Sequence, residues 1–200
     1  MNYRFSKEKI SMNKVFSSLD KFVFDFSNVL KKHKIRYVIV SGYVAIVFGR
    51  SRNTEDVDML VETISFEKFK NLWNDLNKKY YCLNANNVQS AYFDYLINKT
   101  AIRFSKKNNF IPNIEFKFLK DEKDAYCLNN AVKLEINRKT IFISPIELQI
   151  AYKLALGSIK DIEDARFLFK LFEDDIDKKE LDFWIKSFNI SKKISMKLGE

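Results

Sequence analysis

Two aspartates separated by a single residue, Asp56 and Asp58, have the clearest chemical meaning in this sequence. They lie in the run DVDMLV, and the side-chain period of two in a β-strand places both carboxylates on one face. Two like charges about 4 Å apart repel by roughly 4 kcal/mol at an effective dielectric constant of 20. A protein that holds such a pair must protonate it, pair it with lysine or bind a divalent cation. Carboxylate oxygens favour Mg²⁺ or Mn²⁺ over zinc.

A third acid, Glu115, lies in a segment that alternates between apolar and charged residues, IPNIEFKFL. This alternation predicts a half-buried strand with Glu115 and Lys117 on the same face. If that strand lies beside the one with the aspartates, the three carboxylates converge on one metal site. The alternative for the aspartates is a strand edge with solvated carboxylates.

The residues before the aspartates suit phosphate binding. Ser41 and Gly42 form a turn between an apolar strand and a short apolar helix, where backbone N–H groups can hold a phosphate. Arg50 and Arg52 follow, and their planar guanidinium groups can bind phosphate in a bidentate way. The alternative for these arginines is an ordinary exposed surface position.

The stretch SGYVAIVFGRSRNTEDVDMLV resembles the signature of the nucleotidyltransferase (polymerase-beta-like) superfamily: a small-residue turn, a short helix and an acid-x-acid strand. It is most similar to a small prokaryotic branch with the pattern G-x-x-R-x-T-x-D-hydrophobic-D, which includes the AbiEii-type toxin nucleotidyltransferases. The residues that match this pattern are Gly49, Arg52, Thr54, Asp56 and Asp58. The resemblance covers residues 35–62.

A weaker similarity to the same branch continues at SPIEL, at Lys153-Leu154 and at KDIED. The resemblance implies that Lys153 and Asp161 lie near the nucleotide, with Ser41, Gly42 and Arg52 at its phosphates. It further implies transfer of a nucleotidyl group from an NTP such as ATP to an acceptor hydroxyl. Asp56, Asp58 and Glu115 would then be the catalytic acids and the ligands of Mg²⁺ or Mn²⁺. The chain departs from the family pattern in its first turn residue and in its third acid, which are more often Gly and Asp.

Hydrophobic periodicity predicts an α/β (α+β) protein with a mixed sheet flanked by helices and a C-terminal helical region, which is the minimal nucleotidyltransferase fold that the resemblance implies. We expect a nucleotidyltransferase core over residues 1–143 and a helical region over 144–200 packed on it. Residues 12–33 have apolar positions at helical spacing, and Ser144-Pro145 is typical of an N-cap followed by the first helical turn.

The chain has a net charge of +9 and a sequence pI near 9.3. Such a surface attracts polyanions such as nucleotides or RNA, although solvated lysines explain it equally well. Because no apolar run is long enough for a membrane span and no signal peptide is evident, we expect a cytoplasmic protein that makes no membrane contact.

Three functional hypotheses remain open. The first is an active nucleotidyltransferase with an NTP and an acceptor such as tRNA, a protein or a small molecule. The second is a catalytically inactive protein of the same fold that binds RNA or a partner protein, such as a toxin–antitoxin component. The third is an interaction protein of unrelated α/β fold, for which the three acids need not converge.

Overall fold

The computed structural model describes residues 3–199. Within them, the strands form one mixed sheet of nine strands in the order β1-β2-β8-β9-β3-β4-β7-β6-β5. The strands are β1 (Tyr3–Ser6), β2 (Lys9–Met12), β3 (Tyr37–Ile39), β4 (Asp56–Val61), β5 (Tyr80–Cys82), β6 (Ile102–Lys106), β7 (Asn113–Phe118), β8 (Val132–Ile136) and β9 (Lys139–Ile143).

The helices lie between and after these strands. They are α1 (Ser18–Lys32), α2 (Gly42–Val47), α3 (Phe66–Leu76), α4 (Glu122–Asn129), α5 (Ile146–Leu156), α6 (Ile159–Leu171), α7 (Lys178–Ser187) and the short α8 (Lys192–Ser195). A π-helical segment spans Ser90–Leu96, and a 3₁₀ turn spans Met196–Leu198. No helix in the described range is long and apolar enough to cross a membrane.

The centre of the sheet determines where the acids lie. Strand β4 pairs antiparallel with β3 and parallel with β7, so β3, β4 and β7 are adjacent. The parallel pairing is possible because a long connection, residues 62–112, joins the two strands; it contains α3 and the strands β5 and β6. The middle strands are therefore contributed by distant parts of the chain.

One face of the sheet is closed by aromatic packing. Phe26 of α1 lies against Phe104 with ring centroids 5.7 Å apart, and Phe69 of α3 lies against Phe116 at 6.2 Å. Both partners on the sheet are fully buried. The residues that alternate with them point to the opposite face, where α4 and α5 leave an opening.

The fold class is confirmed: this is an α/β chain with a mixed sheet flanked by helices. The division at residues 143 and 144 stays a prediction, although helices alone follow β9 in the described residues. The predicted helix over residues 12–33 begins later, because Met12 extends β2 and Ser17 forms a capping box with Asp20. Ser144 is not the N-cap of α5, since Pro145 occupies that position and the Ser144 hydroxyl donates to the Pro145 carbonyl oxygen.

Candidate active site

The register of β4 and β7 brings two of the predicted acids together. Asp58 pairs with Glu115 across the two parallel strands, and Asp56 pairs with Asn113. Because side chains alternate along a strand, Asp56, Asp58 and Glu115 lie on the same face of the sheet. The interaction between the Asp58 and Glu115 carboxylates is close enough to raise the pKa of Glu115.

Two basic side chains accompany this acid pair. Lys117 Nζ lies 3.3 Å from Asp58 Oδ1, and Arg103 Nη2 donates to Glu115 Oε1 at 3.1 Å. Burial and the neighbouring Asp58 raise the pKa of Glu115, although Arg103 opposes the shift. Burial disfavours the charge on Lys117, but Asp58 and Glu115 outweigh it and raise its pKa. Two carboxylates and two cationic side chains thus lie together on this face.

Asp56 has a different set of contacts. The Thr54 hydroxyl lies 2.9 Å from the Asp56 carbonyl oxygen and 3.3 Å from Oδ1. No group of three or more His, Cys, Asp or Glu side chains within residues 3–199 is arranged to hold a metal ion. The three-carboxylate site thus stays a prediction, with Asp58 and Glu115 adjoining and Asp56 two residues away on the same strand face.

The donor set nevertheless fits a hard divalent cation. All three side chains offer carboxylate oxygens, which Mg²⁺ and Mn²⁺ prefer. Asp58 and Glu115 already have cationic partners, the Lys117 ammonium and the Arg103 guanidinium.

The turn that precedes α2 has an unusual backbone. Ser41 adopts φ 63° and ψ −137°, a region that glycine occupies far more readily than serine. The side chain of Gln149 in α5 fixes this conformation, since its Oε1 accepts from the Ser41 N–H and its Nε2 donates to the Ser41 carbonyl, both at 3.0 Å. Helix α5 therefore fixes the conformation of the turn through the Gln149 side chain.

Gly42 allows the close approach of an arginine side chain. A Cβ atom at this position would lie 2.9 Å from Nη2 and 3.1 Å from Cζ of Arg52. The guanidinium of Arg52 thus lies against the turn, at the N-terminus of α2. This is where the sequence predicts the phosphates of a nucleotide.

Asp164 is the shared ion-pair partner of three basic residues near the Ser41-Gly42 turn. This carboxylate is fully buried and accepts from Arg50 Nε at 2.6 Å and from Arg52 Nη1 at 2.5 Å. It also lies 3.1 Å from Nζ of Lys153, whose side chain is 2% exposed. One anion therefore organises three cations.

Asp161 completes the cluster on α6. Its Oδ1 accepts from Lys153 Nζ at 2.6 Å, and its Oδ2 accepts from the Ser158 hydroxyl at 2.5 Å. Burial alone would raise the pKa of Asp161, but the bonds from Lys153 and Ser158 outweigh it and lower the pKa. Lys153 is thus a buried ammonium with two carboxylate partners.

An open cleft of about 380 Å³ adjoins the acid pair. We call it the α4–α5 cleft, and its walls are formed by Leu60, Lys117, Asp124, Leu148, Tyr152 and Phe188 among others. The rings of Tyr152 and Phe188 lie with their centroids 6.1 Å apart, and Lys123 Nζ lies 5.1 Å from the Phe188 centroid. Three further lysines line the cleft: Lys99, Lys117 and Lys120.

The predicted site residues thus fall into two connected groups. Asp58 and Glu115 meet across β4 and β7, with Asp56 on the same face, while Gly42, Arg52, Lys153 and Asp161 are linked through Asp164. Ser41 belongs to the second group through the turn, and Gln149 connects it to α5.

Sequence reasoning missed Asp164, Gln149 and Arg103 as parts of the site. Asp164 could have been found, because it lies three residues after Asp161 and so shares a face of α6 with it. Gln149 precedes Lys153 by four residues on α5, which is the same kind of signal. Arg103 gives no such local signal, since its contact depends on the pairing of β6 with β7.

Comparison with known proteins was made at the levels of sequence and structure. No protein-family model matches the sequence, and the search of curated proteins finds no match. The structure is similar to an antigenic nucleotidyltransferase-like protein from Paracoccidioides brasiliensis, with a TM-score of 0.53 and 16% identity over 90% of this chain and 91% of that one. It is also similar to ANT(2")-Ia in complex with adenylyl-2"-tobramycin, with a TM-score of 0.54 and 12% identity over 86% of this chain and 98% of that one.

These similarities define the class of fold. The chain has the nucleotidyltransferase fold, as the sequence resemblance implied, and it matches nearly the full length of both structures. Identities this low show the fold alone.

Proposed function

We propose that this protein transfers a nucleotidyl group from a nucleoside triphosphate to an acceptor hydroxyl. The observation that carries the proposal is the parallel register of β4 and β7, which sets Glu115 beside Asp58 on one open face. The second group of residues supports it, because Arg52 lies against the Ser41-Gly42 turn where a triphosphate would bind.

In this proposal the acceptor oxygen attacks the α-phosphorus, the bond to the β-phosphate oxygen breaks, and pyrophosphate leaves. Glu115 accepts the acceptor's proton, a role that suits a carboxylate whose pKa is raised. Arg52 offsets the negative charge of the triphosphate, Lys153 supports Arg52 through their shared partner Asp164, and the N–H groups at the start of α2 contact the outer phosphates. Asp56 and Asp58 would hold Mg²⁺ or Mn²⁺, which supplies electrostatic stabilisation and lowers the pKa of the acceptor hydroxyl; Glu115 would complete this metal site in the alternative in which it does not take the proton.

The α4–α5 cleft gives room for the rest of a substrate beside the acids. Burial raises the pKa of Tyr152. Lys117 and Asp58 are close enough to act on it as well, the lysine lowering the pKa and the aspartate raising it. The Tyr152 ring and that of Phe188 offer an aromatic surface on which a nucleobase can stack. ATP is the first nucleotide to test, and tRNA is the first acceptor to test, beside a protein and a small molecule.

The test is transfer of label from each α-³²P-labelled NTP, with Mg²⁺ and total tRNA, protein or an aminoglycoside as acceptor. We expect label on one acceptor class, and Asp56→Asn should reduce the rate about a thousandfold, equivalent to about 4 kcal/mol in the barrier. Asp182→Asn is the matched control. It removes the same charge at an exposed position on α7. Absence of transfer from every NTP, together with absence of metal-dependent nucleotide binding, would refute the proposal.

A catalytically inactive binding protein of the same fold is the second candidate. The observation that favours it is the pairing of Asp58 with Lys117 and of Glu115 with Arg103, because internal cations already neutralise the acids. It predicts salt-sensitive binding of RNA or of a partner such as an antitoxin, unaffected by Asp56→Ala. Label transfer that requires Asp56 would exclude it.

A further inference from the structure

A second pocket lies at the other end of β3 from the Ser41-Gly42 turn. It has a volume of about 490 Å³, and we call it the basic pocket; its walls include Lys31, Lys34, Arg36, Tyr37, Leu128 and Phe142. Three of these side chains are cationic, and no carboxylate lines the pocket. The nucleotidyl-transfer residues described above lie outside it.

The cations of the basic pocket are poorly neutralised. Lys31 is half-buried, and its pKa is lowered by burial and by the nearby Lys133. Its ammonium donates to the Thr140 carbonyl and hydroxyl oxygens, which are neutral acceptors. The Lys31 ammonium thus has no carboxylate among its hydrogen-bond partners in the described residues, and an anionic ligand would stabilise it.

Arg36 also uses only neutral partners for its side chain. Its Nη2 donates to the Leu128 carbonyl oxygen at 3.3 Å and to Asn129 Oδ1 at 2.9 Å. Within residues 3–199, no hydrogen bond from its Nε or Nη1 is found, so one edge of the guanidinium remains available. Fork-shaped donors of this kind match phosphate oxygens.

Two carboxylates close to these residues already have other partners. Glu62 accepts from the Arg36 backbone N–H at 3.1 Å and pairs with Lys68 at 3.3 Å. Asp75 pairs with Lys32 and with Lys78, at 2.7 and 2.6 Å. The positive charge of the basic pocket is therefore a local excess.

The position of the pocket relates it to the candidate active site. Tyr37 pairs with Val61 of β4, and Asp58 lies three residues from Val61 along that strand, which corresponds to roughly 10 Å at about 3.3 Å per residue. A stacked strand of nucleic acid advances about 3.4 Å per nucleotide, so this separation spans about three nucleotides. Helix α4 connects the two openings, because Asp124 lines the α4–α5 cleft and Leu128 lines the basic pocket.

We propose that the basic pocket binds a backbone phosphate of a single-stranded nucleic acid whose reacting hydroxyl lies at Asp58 and Glu115. The identity of the acceptor as a nucleic acid rests on the proposed nucleotidyl transfer. Binding of the phosphate by Lys31, Lys34 and Arg36 rests on the pocket alone. The α4–α5 cleft lies along the same helix, and its lysines and two aromatic rings would contact the nucleotides nearest the acids.

The test is fluorescence anisotropy with 5′-fluorescein-labelled 12-nucleotide RNA and DNA of the same sequence, at several KCl concentrations. The double variant Lys34→Gln/Arg36→Gln should bind at least tenfold more weakly than the wild type. The slope of log K against log salt should become shallower by about 0.7, since the pocket binds one phosphate and each lost phosphate contact removes about 0.7 for a single strand. The RNA and DNA arms identify which backbone the pocket accepts.

The matched control is Lys70→Gln/Lys107→Gln, which removes the same charge at exposed positions on α3 and after β6. We expect it to bind within twofold of the wild type. Equal weakening by both double variants would overturn the proposal, because the binding would then be spread over the whole basic surface. Failure of the wild type to bind either strand would overturn it as well.

Two further variants separate binding from folding. Within residues 3–199 the Lys34 side chain makes no hydrogen bond, so Lys34→Gln removes only its charge. This variant should show about half of the change in slope. Arg36→Lys keeps the charge and should keep most of the slope. If the wild type binds nucleic acid through the basic pocket but transfers no label from any NTP, the nucleotidyltransferase function is refuted and phosphate binding by the basic pocket is supported.

Discussion

Replacement of Asp164 by asparagine tests the ion cluster that holds the two helices of the site together. Asp164 is fully buried and interacts with Arg50, Arg52 and Lys153. Asp164→Asn changes the volume little but leaves three cations with a neutral partner. Lys153 would retain Asp161, and Arg50 would retain Glu163.

The magnitude follows from burial. Removal of one partner from a buried ion pair costs about 3–5 kcal/mol, because an uncompensated charge remains away from water. For a chain of this size, each 1 kcal/mol lowers the Tm by about 2–4 °C, so we expect a decrease of about 6–20 °C. The neighbouring Glu163 offers a control, since its side chain is 50% exposed and it makes a single ion pair with Arg50. Glu163→Gln should cost at most about 1 kcal/mol.

The assay is urea unfolding followed by circular dichroism, with Tm measured by calorimetry. A double-mutant cycle of Asp164→Asn with Lys153→Met should show that the two changes are not additive, because each removes charge from the same pair. Equal costs for Asp164→Asn and Glu163→Gln would refute the reasoning. Additivity within about 0.5 kcal/mol would refute it too, since Lys153 and Asp164 would then be energetically independent.

Three other predictions concern the same region. Gly42→Ala should displace the Arg52 guanidinium, reduce stability by about 1–2 kcal/mol and weaken NTP binding measured by calorimetry; unchanged affinity would argue against the turn as the phosphate site. Ser41→Gly should stabilise the protein by about 1 kcal/mol in urea, because it relieves backbone strain, and a destabilised variant would contradict this. Asp161 has a pKa below its ordinary value of 3.8, so its contribution is present above about pH 4 and is lost as the pH falls through the folded pKa. The stability difference between wild type and Asp161→Asn should therefore shrink below pH 4; a constant difference would contradict the pKa shift.

Local patterns in the sequence predicted the elements around the acids well. The period of two in residues 56–61 and 113–118 identified β4 and β7, and the alternation placed Glu115 and Lys117 on one face. Gly157 at φ 73° ends α5 in the left-handed conformation that glycine favours, which is a local signal of the same kind. These features depend on the chain's own neighbours, so a single sequence is sufficient for them.

Contacts between distant segments were harder to predict. The β1–β2 hairpin joins the sheet through parallel pairing of β2 with β8, more than a hundred residues away, and its strands are short. Helix α4 is polar and weakly amphipathic, so periodicity does not reveal it. The bond from Lys117 to Asp58 likewise depends on which strand lies beside β4.

The parallel alignment of β4 with β7 has a consequence for how this chain tolerates change in length. Residues 62–112 form an excursion that leaves and rejoins the sheet, so insertions within its exposed turns can leave the alignment of the two strands intact. A single residue inserted between Asn113 and Glu115 would instead turn the glutamate to the aromatic side of the sheet. Changes in length within those exposed turns thus leave the relative position of Asp58 and Glu115 unchanged, whereas a change within residues 113–115 does not.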